Sequence, residues 1–137
     1  MNIKDKLDEI GLNPDNAIVI GSGILNALNL RESKDIDVVV TEEKHKELCS
    51  NSRFHQEESH GRDVLKDNLL EIGTSWTVVG RTWKFKDLLS HSIVIDDVRY
   101  NTIEFLLDAK RKWLTDGDVR QKDIDDVKLM EGYLKNK

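Results

Sequence analysis

Two aspartates one residue apart, Asp35 and Asp37, open the apolar run Asp35-Ile36-Asp37-Val38-Val39-Val40. A strand repeats every two residues, so both carboxylates would face the same way. Like charges on one face repel by about 4 kcal/mol at ~4 Å and an effective dielectric near 20. A divalent cation between them removes the conflict. Magnesium fits, because it takes hard oxygen ligands, often one or two carboxylates plus phosphate oxygens. Upstream, Ile18-Val19-Ile20 runs into Gly21-Ser22-Gly23. Small residues in such a turn let backbone N–H groups approach an anion, and a following helix start favours negative charge. Metal and phosphate chemistry are therefore expected side by side. A charged strand start at a sheet edge is the competing reading of the aspartates. The triple-valine run argues against it, because central strands rarely open with unpaired acids.

Glu71 is the best third carboxylate. It sits in Leu69-Leu70-Glu71-Ile72-Gly73, an acid embedded in apolar residues, where burial is expensive without a partner or a metal. An exposed strand position between inward-facing neighbours remains open for it. Asp63 and Glu58 are lesser candidates. Ser22 offers a hydroxyl and an N–H to a phosphate tail; an ordinary helix cap is its other role, and the two are compatible.

Gly21-Ser22, a helix, then Asp35-Ile36-Asp37 on the next strand resembles the nucleotidyltransferase superfamily that includes DNA polymerase beta. A second stretch adds to this. Ile103-Glu104-Phe105-Leu106-Leu107-Asp108-Ala109-Lys110 is followed by Arg120-Gln121-Lys122-Asp123-Ile124-Asp125-Asp126. That order is similar to a small bacterial branch holding antibiotic nucleotidyltransferases and abortive-infection toxin components of toxin–antitoxin systems. The resemblance implies transfer of a nucleoside monophosphate from a nucleoside triphosphate such as ATP to a hydroxyl acceptor, with loss of pyrophosphate. It implies Mg2+ held by Asp35, Asp37 and Glu71, with Glu71 helping to activate the hydroxyl. Gly21, Ser22 and Gly23 would bind nucleotide, Lys110 would approach the triphosphate, and Lys122 and Asp123 would line or brace the site. From spacing alone, Asp123 and Asp126 share a helix face, and Lys122 can reach Asp126. A solvated helix with salt bridges is the alternative there. A nucleotide-binding module or toxin–antitoxin component without robust turnover is the alternative for the whole.

The elements that must position these residues are legible in outline. The pattern predicts helices over 3–10, 23–30, 42–49, 84–90, from a cap at Asn101 or, by preference, Thr102 to about 114, and about 119–134. It predicts strands over 17–20, 36–40, 69–76 and 93–100, with a turn or bulge at Asp96-Asp97, and a polar hairpin of 53–58 and 62–67 around His60-Gly61. Strands and helices alternate early and helices dominate late. The expected class is α+β: a small mixed sheet with helices mainly on one face and a C-terminal helical pair. That resembles the nucleotidyltransferase fold.

Length suits a single domain over 1–137, with a core of about 15–100 and C-terminal helices over about 102–136. The net charge of −5 argues against a broad nucleic-acid surface, so transfer RNA as acceptor is open but not indicated. One cysteine, Cys49, excludes an internal disulfide and a cysteine zinc cluster. No apolar run approaches the ~20 residues of a membrane span and the polar start lacks a signal-peptide core, so cytoplasm is the default. The short chain makes a homodimer plausible. Trp113 and Phe105 read as core. Trp76 and Trp83 read as core cover, with stacking on a base as the sharper option. Arg62, Lys66, Arg81, Lys84 and Lys86 are either a local basic rim or scattered charge.

Overall fold

The computed structural model describes residues 2–59, 62–78, 80–117 and 119–136, with the side chains of 59 and 62 left aside. The expected hairpin turn at His60-Gly61 lies outside the described residues, as does Asp118 between the two expected C-terminal helices. Among the described residues, nine strands and six α-helices follow in order: α1 (Ile3–Asp8), β1 (Ala17–Ile20), α2 (Gly23–Ala27), β2 (Ile36–Val40), α3 (Glu42–Leu48), β3 (His55–Ser59), β4 (Arg62–Lys66), β5 (Leu70–Gly73), β6 (Ser75–Val78), β7 (Arg81–Lys84), α4 (Phe85–Leu88), β8 (Ser92–Ile95), β9 (Val98–Asn101), α5 (Ile103–Thr115) and α6 (Gln121–Lys135). A 3-10 turn, Leu89–His91, links α4 to β8.

A seven-stranded mixed sheet, ordered β3-β4-β5-β2-β1-β9-β8, forms the frame. β2 runs antiparallel to β1 and parallel to β5. Its central position matches the apolar run that specifies it: Ile36, Val38, Val39 and Val40 are all buried. Period-two alternation then sorts the two faces. Val19, Ile36, Val38, Val40 and Ile72 join the large core with residues of α1, α2, α3, α5 and α6. Ile18, Ile20 and Val39 join Leu88 in a smaller cluster edged by Trp76, Trp83, Phe85 and Phe105. Helical cover is thus mainly on one side, and the architecture is the expected α+β one with a C-terminal helical pair.

Boundaries moved where local chemistry intervened. α2 stops early, because Asn29 takes a positive φ of 58°. The segment 69–76 is not one strand. β5 stays in the large sheet, and β6 leaves it to pair with β7 in a separate hairpin. β7, Arg81-Thr82-Trp83-Lys84, carried too little apolar alternation to be read from sequence. The Asp96-Asp97 turn is real: both residues have positive φ, 49° and 64°, and join β8 to β9. That is the twist favoured in two-residue hairpins. Thr102 caps α5 through the Phe105 N–H at 3.2 Å, as its type and place predict. Among the described residues no helix is long and apolar enough to cross a membrane.

Gly23 opens α2 against β1, and a Cβ there would strike the Val19 Cγ1 methyl. Val19 is wholly buried and stiff at χ1. Gly23→Ala is therefore expected to destabilise by about 1–3 kcal/mol, read as a lower urea midpoint with unchanged m-value.

Candidate active site

Register decides the site. Ile20 opposes Asp37, and Asp37 is paired with Glu71 on parallel β5. Paired residues share a face, so both acids point to the side of the smaller cluster, at the ends where its apolar cover stops. Neighbouring strands lie about 4.8 Å apart, which brings the two carboxylates close. Lys66, in register with Glu71 from β4, lies 4.0 Å from its Oε1.

Gly21 follows β1 with φ +70°, a left-handed turn natural to glycine. A Cβ on it would stand 4.0 Å from Asp37 Oδ2, so the turn and the acid border one space. Ser22 has φ −76° and ψ 0° and makes no side-chain cap bond. That corrects its reading as an ordinary helix cap. Its Oγ instead lies 3.5 Å from Ser33 Oγ, while Ser33 donates to the Ser22 carbonyl at 3.1 Å. Buried Ser33 thereby fastens the turn to the loop that precedes β2.

A cavity of about 430 Å³ opens here, bordered by Gly21, Ser22, Asp37, Glu71, Lys110 and Lys122 among others. A second, of about 480 Å³, shares Ser22, Asp37, Glu71 and Lys122 and extends past Asp35, Arg31, Lys34, Lys66 and Asp67. The two meet at the acid pair. Asp35 is exposed and precedes β2 rather than lying in it. Among the described residues no three Asp, Glu, His or Cys side chains converge as a ready-made metal site. What is assembled is a pair, Asp37 and Glu71. Two carboxylates facing the same cavity could hold a divalent cation whose remaining positions are filled by water and substrate oxygens. Glu58 and Asp63 pair with each other on the outer hairpin, both exposed, and border neither cavity.

Behind the cavity lies a buried ionic cluster. Lys110 Nζ contacts Asp123 Oδ1 at 2.6 Å and Asp126 Oδ2 at 3.3 Å. Arg31 grips Asp126 with two bonds, 2.7 and 2.8 Å. Arg120 Nε donates to Asp123 at 2.9 Å. Lys110 is 5% exposed, Asp123 0% and Asp126 1%. Burial by itself raises the Asp126 carboxyl. The Arg31 hydrogen bonds, with the charges of Lys110 and Arg31, outweigh it and hold the group below the ordinary carboxylate value. Asp126 likewise raises the Arg31 guanidinium.

Asp123 thus backs Lys110 rather than facing the cavity. Asp126 is taken by Arg31 and Lys110, which corrects the expected Lys122–Asp126 pair. Lys122 is exposed, borders both cavities and makes no hydrogen bond or ion pair with the described residues. Arg31 was missed, since nothing in a polar loop marks a partner 95 positions away. Trp113, read as core, is half-exposed and lines the cavity with Trp76. Trp83 does not line it. It sits under Arg81 at 3.8 Å and against Phe105. Of the residues read as either a basic rim or scattered charge, Lys84 pairs with Glu42 and Lys66 with Glu57 and Glu71. The Arg62 side chain lies outside the described residues.

In sequence, no family model and no curated protein matches this chain. In structure, it matches the antibiotic-resistance factor ANT(2'')-Ia, an aminoglycoside nucleotidyltransferase, with a TM-score of 0.61 at 20% identity. The match covers 96% of this chain and 80% of that one. The chain has the nucleotidyltransferase fold. Lys110 and Trp113 of α5, with Arg120 and Lys122 at the start of α6, border the same cavity as the Gly21 turn, Asp37 and Glu71.

Removing one member of a buried charge cluster leaves its partners uncompensated, at about 3–5 kcal/mol. Asp126→Ala and Arg31→Met are each expected to lose stability on that scale in urea melts. The pH dependence has a definite sign. Asp126 sits below its ordinary 3.8 in the folded chain. Its contribution is fully present above that value and is lost as pH falls through the lower folded one. The melting temperature of the native chain should therefore drop below about pH 4 more steeply than that of Asp126→Asn.

Proposed function

We propose that the chain transfers a nucleoside monophosphate from a nucleoside triphosphate to a hydroxyl acceptor. The observation that carries this reading is the Asp37–Glu71 register pair opening into the same cavity as Gly21-Ser22 and the cations Lys110, Arg120 and Lys122. A paired-acid floor with cations around it suits a metal-bound polyphosphate and few other ligands. The nucleotidyltransferase fold supports the same reaction class.

In this reading the acceptor oxygen attacks the α-phosphorus. The bond from that phosphorus to the bridging oxygen breaks, and pyrophosphate leaves with the electron pair. The acceptor proton passes to a carboxylate, Glu71 in this assignment. The amides of Gly21, Ser22 and Gly23 and the Ser22 hydroxyl bind tail phosphates. α2 is short, so this attraction rests on local N–H groups rather than on a long-helix dipole. Lys122, exposed and unengaged, can follow the departing charge. Lys110, fixed by Asp123, supplies positive potential without reorganisation, which favours a developing anion. Bound Mg2+ would neutralise phosphate charge, held by Asp37 and Glu71 with water and phosphate oxygens in its remaining positions.

The second cavity suits the acceptor. Arg31, Lys34, Asp35, Lys66 and Asp67 border it with charge of both signs, so a polar hydroxyl compound fits better than an apolar one. Binding without turnover, including a role beside a partner protein, is favoured by one observation: the Lys110 ammonium is already engaged by two aspartates.

The test is pyrophosphate release with magnesium, each nucleoside triphosphate and a panel of hydroxyl acceptors. Release is expected from the native chain. Asp37→Asn and Glu71→Gln should each lower it about a thousandfold, while circular dichroism and the melting temperature stay near native. Metal-dependent nucleotide binding with no pyrophosphate under any acceptor would leave the binding module. Release that survives both substitutions would discard the acid pair as the reacting centre.

A further inference from the structure

One wall of the cavity carries no charge. Trp76, Leu106 and Trp113 border it together with Asp37, Glu71 and Lys110. Leu106, Lys110 and Trp113 stand four and three positions apart on α5, so they share one face of that helix. Trp76 arrives from β6, which turns out of the large sheet directly after β5 has delivered Glu71. The two indoles are 6.5 Å apart between centroids, with planes inclined at 59°. They form a corner. A flat ring slotted between parallel indoles needs two van der Waals gaps of about 3.5 Å each, so this corner is too tight for a sandwich. A ring can lie on one indole and present its edge to the other, an arrangement aromatic pairs prefer. Both indoles are half-exposed, so their surface is reachable. Phe105 packs against Trp76 at 5.7 Å between ring centroids.

Resting on the nucleotide reading above, we infer that Trp76 and Trp113 seat the base of the donor, and that the donor is a purine nucleoside triphosphate. The same cavity has a polar end, Gly21, Ser22 and Lys122, and an aromatic end. A nucleotide is divided in the same way, with phosphates at one end and a flat ring at the other. At about 430 Å³ the cavity lies in the size range of small-molecule sites. Two fused rings cover more of an indole than one ring does, and stacking strength sets such preferences. Trp83 has no part in the seat, since it borders neither cavity.

The full chain is titrated with MgATP, MgCTP and magnesium tripolyphosphate, read by calorimetry and tryptophan emission. The variants are Trp113→Leu, Trp76→Leu and Trp113→Phe. In the native chain, ATP is expected to bind more tightly than CTP and tripolyphosphate, and ATP but not tripolyphosphate to change the emission. Each leucine variant should weaken ATP about ten- to a hundredfold and leave tripolyphosphate within about twofold, with Trp113→Phe recovering most of the loss. Unchanged ATP affinity in both leucine variants would overturn the seat. So would an equal loss of ATP and tripolyphosphate, which would mark the indoles as acting on the phosphate end or on the fold. CTP as tight as ATP would overturn the purine assignment. If a leucine variant does not fold, the native comparison decides: ATP no tighter than tripolyphosphate overturns the seat alone. A native chain that binds neither ligand overturns the nucleotide reading itself, and the seat with it.

Discussion

The contact on which the C-terminal half depends is the buried ammonium of Lys110 between Asp123 and Asp126. Three cations, Lys110, Arg31 and Arg120, meet two anions there. Stripping such charges of water is expensive, and their attraction recovers it only with good geometry. The geometry here is good: short bonds, one two-pronged arginine and both aspartates fully engaged. The cluster acts chiefly as a register device. It allows one placement of α6 on α5, and one placement of both against the loop that leads into β2. It also leaves a surplus positive charge beside a cavity floored by two acids.

That cavity exists because of a change in strand direction. β1 and β2 are antiparallel neighbours, while β2 and β5 are parallel. The parallel pair sets Asp37 and Glu71 level with each other. The antiparallel pair brings the end of β1, and so the Gly21 turn, to the same edge. The sheet alone provides acids and amides. The helices provide cations, and the β6–β7 hairpin provides an aromatic wall. Each ingredient has its own source in the fold, and the ionic cluster holds the helical part in place.

Much of the frame was legible in the residues. Ala17–Ile20 is apolar throughout and Ile36–Val40 is apolar apart from Asp37, because both faces are largely covered, and such runs read as central strands. Thr102 and the Asp96-Asp97 turn announced themselves through local chemistry. The succession of the Gly21-Ser22 turn and the strand that carries Asp37 followed from order and period. The β5–β6 break was not legible, because a strand that changes sheets keeps the same alternation across the break. Trp113 was read as core because helical spacing tells which face a residue shares, not whether that face meets protein or a cavity.

By itself, then, the sequence determined the local matters. These are which runs are strands, where helices begin, and that a small-residue turn and an acid-led strand succeed one another. Each depends on neighbours within a few positions, where periodicity and capping leave a mark. Tertiary structure alone decided that Arg31 holds Asp126, that Asp123 turns inward to Lys110, that Asp37 meets Glu71 while Asp35 stays at the rim, and that Trp76 meets Trp113. Those pairings join segments far apart in the chain. Charge and shape select them only after the core has collapsed and water has been excluded, so no spacing rule could have foretold them.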